Sequence, residues 1–290
     1  MIDSQLLVSG FVFGLSMGSI FFLMTIGLSL CFGVMRVISL DQLLYYTVGA
    51  YITYTLSLVT GSLWIGLLGG IAVGGLAALA VERLVFRRIY EREIAFSMIT
   101  SFGILIGGVG VVKYFWGLVP RPVAIPIDAQ IFVLGTEIPV YRLVVVGIAG
   151  LVYAGIWLFL NKTIVGKAIR AGIENVEHVE GLGINVSRLF TLIFIIAGAL
   201  SGLAGGLHAP LIMVEPQMGL EVLAFAFMVV IIGGLGSIKG TLVSSFLVGQ
   251  VVSIGSLIYA PLAQMAPFAI MLLILLVWPT GLFGSPMLKK

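Results

Sequence analysis

The residues able to do chemistry are few in this chain of 290 residues, and they gather in four places. Asp41 and Gln42 close the stretch Arg36 to Gln42 (RVISLDQ) and open the next apolar run. A carboxylate beside a carboxamide at the mouth of a broken helix can hold a polar solute, because unwound backbone at membrane depth exposes amide and carbonyl groups. Gly233, Gly234, Gly236 and Ser237 close the shortest apolar run and offer a second break of that kind; both breaks also read as interfacial turns. His208, Glu215 and Glu221 fall between two apolar runs with Pro210, Pro216 and Gly219, where they either line an outer vestibule or touch solvent as loop residues. The fourth place is the polar stretch Val165 to Asn185, VGKAIRAGIENVEHVEGLGIN.

None of these makes an enzyme. Gly236-Ser237-Ile238-Lys239-Gly240-Thr241 has glycine after its lysine and is no phosphate-cradling loop, so the chain reads as lacking an ATPase site. Glu177-His178-Val179-Glu180 lacks the second histidine of a zinc-protease helix. Ser201 and His208 lie seven apart, but nothing supplies an oxyanion hole or an orienting carboxylate for a hydrolase. Asn161, Asn175 and Asn185 are followed by Lys, Val and Val, which excludes the paired Asn-Pro-Ala turns of a water channel. Cys31 stands in an apolar run and supports neither a disulfide framework nor a metal site.

The elements that must position these residues are membrane helices. Hydrophobic residues make up 60% of the chain, charged residues 9%, and the mean hydropathy is +1.23, which no water-soluble fold could bury. Crossing a hydrocarbon core of about 30 Å takes roughly 20 helical residues. Apolar stretches near that length run over 6–33, 43–58, 63–81, 94–116, 142–160, 189–207, 222–232, 241–258 and 263–279. Backbone amides in lipid must pair within the segment, so the fold class is all-α, a polytopic bundle of eight or nine transmembrane helices in one domain over 1–290. The first stretch is too long and the seventh too short for simple spans. Met1 to Gln5 carries Asp3 and no cation, so the first run reads as a retained helix rather than a cleaved signal.

Lys and Arg near helix ends stay cytoplasmic. With the 82–93 loop inside, alternation puts 12 of the 15 Lys and Arg inside and leaves Lys113, Arg121 and Arg142 outside. The N-terminus is then expected outside and the C-terminus in the cytoplasm. The formal charge of +3 does not imply nucleic acid. The inner loop Glu82 to Glu93 (ERLVFRRIYERE) reads as a short interfacial helix whose arginines meet lipid phosphate. The external loop 117–141 holds four prolines, and Ile131 to Leu134 before Gly135-Thr136 predicts a small hairpin. Small-xxx-small pairs at Gly14/Gly18, Gly66/Gly70, Gly103/Gly107 and Gly198/Gly202 predict close helix packing.

In the inner loop 161–188, Ile169, Ile173 and Val176 share a helix face, opposite Lys167, Arg170, Glu174 and Glu177. The charges run against the helix dipole and Gly172 weakens the helix, so a docked partner, rather than the lipid surface on which such a helix can also lie, is expected to hold it. These seven residues are the expected ATPase-coupling set. The expected translocation-pathway residues are Ser19, Asp41, Gln42, Glu221, Gly233, Gly234, Gly236 and Ser237.

GLSMGSIFFLMTIGLSLCFGVMRVISL from Gly14 to Leu40, VGAY at Val48 to Tyr51, the inner-loop sequence above, AFAFMVVIIGGLGSIKGTLVSSFLVG from Ala224 to Gly249 and WPTGLFG at Trp278 to Gly284 occur in this order. Together they resemble the permease family of bacterial branched-chain amino-acid ABC importers, of the LivH type, over nearly the whole chain. The resemblance implies an inner-membrane subunit that pairs with a second homologous permease, two cytoplasmic ATP-binding subunits that hold ATP and Mg, and an extracytoplasmic solute-binding protein. It implies no cofactor in this chain, and it makes the inner-loop helix the element that contacts the ATPase. Where the family reads Asn-Phe-Ala-His-Gly after the first segment, this chain has Ser39-Leu40-Asp41-Gln42-Leu43. Relatives of this fold also move urea, amides and aromatic acids, so the departure opens the solute to those classes, and a passive facilitator is the reading from another class.

Overall fold

The computed structural model describes residues 4–90, 92–133, 135–174, 176–181 and 183–284. In chain order its helices are α1 (Ser4–Met35), α2 (Gln42–Thr60), α3 (Leu63–Leu84), α4 (Ile94–Trp116), α5 (Val140–Lys162), α6 (Ile164–Glu174), α7 (Val176–Gly181), α8 (Val186–His208), α9 (Met218–Glu221), α10 (Leu223–Gly233), α11 (Ile238–Ile258) and α12 (Ala260–Val277). All nine apolar stretches are helical, and the protein is a polytopic helical membrane protein. Among the described residues, seven helices are long and apolar enough to span alone. The other two stretches are α2, diluted by tyrosine and threonine, and α9 with α10. The over-long first stretch is one unbroken helix of 32 residues, about 48 Å at 1.5 Å per residue.

Sequence sets where helices stop. Gly61 takes a left-handed conformation and its amide closes on Ser57 O at 2.9 Å, ending α2. Asn185 opens α8 by accepting the Arg188 amide at 3.0 Å, and Ser237 opens α11 by accepting that of Gly240 at 3.1 Å. The predicted hairpin forms as β1 (Gln130–Val133) and β2 (Thr136–Pro139), registered Gln130 to Pro139 and Ile131 to Ile138. Arg121 and Val214 exchange two backbone bonds of 2.9 Å, tying the loop after α4 to the loop after α8.

Helix contacts sort the bundle into two ends. The start of α1 lies by the end of α11 (Gly10 on Leu257), and the start of α5 by the end of α8, where the Tyr141 hydroxyl donates to Leu207 O at 2.8 Å. At the opposite end Gly33 meets Gly236, Val34 meets Gly172, and Thr191 of α8 reaches Glu82 of α3. This second end is the basic end, carrying Arg83, Arg87, Lys162, Lys167, Arg170, Arg188 and Lys239.

α8 is central and α12 peripheral: two thirds of the α8 span is buried, against 6% for α12. Three of the four glycine pairs seat helices. Gly198 and Gly202 lie on Gly70 and Gly74 of α3, Gly66 on Thr53 of α2, and Gly14 and Gly18 on α11. At the fourth pair, Gly103 and Gly107 of α4, an added Cβ would find no described neighbour within 4 Å, so this pair seats no helix of this chain.

The expected interfacial helix from Glu82 is shorter than its sequence suggests. α3 continues through Glu82 to Leu84, and only a 3-10 turn, Phe86–Arg88, follows. Glu82 can stay on the helix, fully buried, because two hydroxyls satisfy its carboxylate: Tyr90 at 2.8 Å and Thr191 at 3.0 Å.

Candidate functional site

The link from α1 to α2 leaves helical geometry and runs in among the other helices. Arg36 takes a positive φ of 54°, a conformation that L side chains resist, and α1 stops there. The chain then runs non-helical along α4. The Ile38 amide donates to Ser97 Oγ at 3.4 Å, and Ser101 Oγ donates to Ile38 O at 2.9 Å, replacing bonds a helix would have made. Ser97 and Ser101 lie one and two turns into α4, whereas Leu44 packs on Gly108, fourteen residues in and about 21 Å from its start. α2 therefore begins well inside the bundle rather than at its basic end.

A closed polar cluster sits at that point. Ser39, Asp41, Gln42 and Ser201 are all fully buried. The Asp41 carboxylate accepts from the hydroxyls of Ser39 and Tyr45. Gln42 Nε2 donates to Ser39 Oγ at 3.3 Å, and Gln42 Oε1 accepts from Ser201 Oγ at 3.1 Å. The bonds thus run from α8 through Gln42 and Ser39 to one carboxylate. Cys31 Sγ of α1, buried and unbridged, lies 4.0 Å from Gln42 Nε2. Both partners of Asp41 are neutral hydroxyls, so it is a buried acceptor of hydrogen bonds suited to ammonium, amide or hydroxyl donors on a solute.

The second break is built differently. Ile231 O accepts from Gly234 N at 3.2 Å, Ile232 O from Leu282 N at 2.8 Å, and Gly233 O from Phe283 N at 3.1 Å. Gly236 has a φ of 82° and lies on Gly33, where a Cβ would fall 2.7 Å from Cα. Gly233, Gly234, Gly236 and Ser237 hold α1, α10, α11 and the C-terminal segment together, and the carbonyls freed at the end of α10, from Ile231 to Gly234, are already taken. Ser19 bonds Leu15 O within its helix at 2.8 Å, and it stands 12 residues, about 18 Å, from Cys31 along α1. Glu221 is exposed on the opposite end beside Glu215. The structure therefore brings together Asp41 and Gln42 but neither Ser19, Glu221 nor the glycine turn.

Ser39, Tyr45 and Ser201 were missed as members of this cluster. Ser39 and Tyr45 were legible at two before and four after Asp41, the latter one helical turn away. Ser201 comes from 159 residues on, and no local spacing announces it. His208 is the buried last residue of α8, not a solvated loop residue, and its Nδ1 pairs with the Tyr46 hydroxyl. Ser201 and His208 thus have separate partners and form no nucleophile pair.

In the inner loop, α6 lays Ile169 into the core and half-buries Ile173, while Lys167 and Arg170 are exposed. Arg170 Nη1 donates to Asn161 Oδ1 at 2.7 Å. The apolar stripe rests on this chain's own α1, where a Cβ on Gly172 would meet Val34 at 3.2 Å. α6 is described to Glu174 and α7 from Val176, and the side chains of Glu174, Val176 and Glu177 lie outside the described residues. Among the described residues no cluster could hold a metal ion.

Comparison with known proteins covers almost the whole chain. A family model described as branched-chain amino acid transport system / permease component matches residues 10–276. The high-affinity branched-chain amino acid transport system permease protein LivH of Escherichia coli K12 is 26% identical over 96% of this chain and 95% of its own length. A probable branched-chain amino acid transport permease protein LivH of Methanocaldococcus jannaschii is 28% identical over 90% of this chain and 88% of its own. A nucleoside ABC transporter permease protein, NupC of Lactococcus lactis, is 25% identical over 79% of each chain. No solved structure matches.

Proposed function

Because this chain belongs to the family of permease components of branched-chain amino acid transport systems, we propose that it is the membrane-spanning subunit of an ATP-driven importer for a small polar solute. ATP and its Mg are held by separate ATPase subunits, and the solute arrives on an extracytoplasmic binding protein. The basic end faces the cytoplasm, in keeping with the inside preference of Lys and Arg. The likeness to LivH proteins over nearly full length makes a branched-chain amino acid the first solute to test.

The observation that carries this reading is the occluded cluster at Asp41. A carboxylate enclosed with hydroxyls and an amide, deep between α2, α4 and α8, marks a place where a polar solute exchanges bonds with the protein when the helices part. A route for the motor's motion lies beside it. The ATPase grips the exposed Lys167 and Arg170 face of α6, the buried Ile169 face moves the end of α1, and α1 leads directly into the 36–41 segment. Nucleotide then acts by favouring one of two arrangements of this link.

A second solute class is favoured by a specific observation. The departure at Ser39-Leu40-Asp41-Gln42 puts a lone acceptor where donors bind, and a nucleoside permease is among the relatives. Uptake by proteoliposomes carrying the complete importer separates these readings. ATP-dependent leucine uptake unaffected by excess adenosine is expected; displacement of leucine by adenosine identifies the second class. Uptake by this chain alone, without ATP, would overturn the importer reading in favour of a facilitator.

A further inference from the structure

We infer that the basic end of this subunit carries a binding site for the phosphate headgroup of an anionic phospholipid, between the end of α3 and the start of α8. A cavity of about 470 Å³ opens there. Arg83 and Arg87 stand on one wall, and Arg188 and Ser187 on the other. The cavity continues along α8 to Leu192 and Ile195, one and two turns beyond Arg188 toward the middle of the bundle. Polar groups at the mouth and apolar groups deeper along one helix match the order of a phospholipid, headgroup first and acyl chain below. A soluble anion would leave the apolar wall unused.

The charge balance favours the same ligand. Three guanidinium groups line the cavity, and the positive end of the α8 dipole lies at its mouth. Glu82, the residue before Arg83, is fully buried with its oxygens bonded to Tyr90 and Thr191, so it sits behind the wall and claims none of these arginines by those bonds. Arg83, Arg87 and Arg188 are exposed. Basic pockets between helices near a membrane surface hold anionic headgroups through such sets. The site lies away from the Asp41 cluster and does not depend on which solute is carried.

The test is native mass spectrometry of the full chain in detergent, offered phosphatidylglycerol, phosphatidylcholine or inorganic phosphate. Phosphatidylglycerol is expected to be retained about tenfold better than phosphatidylcholine and to resist millimolar phosphate. Arg87→Gln and Arg188→Gln should each reduce that preference about fivefold. Joining them with Arg83→Gln should abolish it, the three Arg→Lys changes should largely keep it, and Arg92→Gln, outside the cavity, should leave it unchanged. If the triple Gln variant does not fold, the two single variants still decide. Equal retention of the two lipids, or displacement by phosphate alone, overturns the proposal. So does unchanged lipid preference in the Gln variants, including the case where they lose association with the ATPase subunits, which would make the cavity a protein docking site.

Discussion

The helices break after α1 and again after α10, and the two interruptions use opposite materials. After α10 the solution is backbone on backbone: glycines at positive φ let segments touch, and the freed carbonyls of Ile232 and Gly233 bond the amides of Leu282 and Phe283. After α1 the backbone is held by serines of α4, and three side chains, Ser39 of the link, Tyr45 of α2 and Ser201 of α8, converge on Asp41 and its amide neighbour. A break closed by main chain resists motion, because its freed carbonyls already have amide partners and its glycines lie in backbone contact. A break closed by hydroxyls can exchange those partners for a solute. The sharpest way to break the contrast is to load both sites. Gly236→Val forces a β-branched residue into left-handed backbone and puts its Cβ 2.7 Å from Gly33. The expected loss is about 4 kcal/mol, combining backbone strain and overpacking, seen as a collapse of the thermal unfolding transition in detergent. A Gly236→Val protein that melts like the parent would show the glycine turn to be the yielding one.

α6 lies between these extremes and gives the next largest effect. Ile169 is buried against this chain, so Ile169→Asp places an unpaired carboxylate in the core and should destabilise the subunit by about 3 kcal/mol, measured by thermal unfolding without any partner present. Arg170→Gln, on the exposed face, should leave the melt unchanged and reduce ATPase association. If Ile169→Asp left the isolated subunit as stable as before, the buried face would have to be reassigned to the partner. Asp41→Asn should behave unlike either. Removing a buried charge while keeping shape leaves stability equal or higher, yet ATP-driven uptake should fall about tenfold or more with the loss of a charge-assisted contact. Uptake at parental rates would remove Asp41 from the pathway.

Much of this was legible in the residues because lipid makes one demand of every segment, that its backbone pair internally. Hydropathy therefore finds all nine helical stretches, and Gly135-Thr136 after an apolar run finds the hairpin. Spacing of four finds the Ile169 face of α6 but not what that face touches, since the same stripe serves an ATPase or α1 equally well. The two breaks look alike in sequence for a similar reason. Glycine and short polar residues end a helix whether the freed carbonyls go to solvent, to solute or to Leu282, and the last of these lies some fifty residues away. Ser201 escaped because it belongs to a helix whose own pattern is complete without it. Glu82 escaped because a charge at a helix end normally reads as loop, and it takes Tyr90 together with the distant Thr191 to make its burial tolerable.

The smallest effect separates the breaks most cleanly. Ser201→Ala strips the donor from Gln42 Oε1, and Ser237→Ala strips the cap from Gly240, so each should cost about 1 kcal/mol of stability. Their sizes cannot tell the regions apart, but their coupling to Asp41 can. Ser201 reaches Asp41 through Gln42 and Ser39, so Asp41→Asn with Ser201→Ala should depart from additivity in uptake and in melting by about 0.5 kcal/mol or more. Ser237 shares no partner with Asp41, and Asp41→Asn with Ser237→Ala should be additive within error. Additivity in both pairs would mean that the bonds from α8 to Asp41 are separate contacts, and that a solute entering between them would disturb one helix without informing the other.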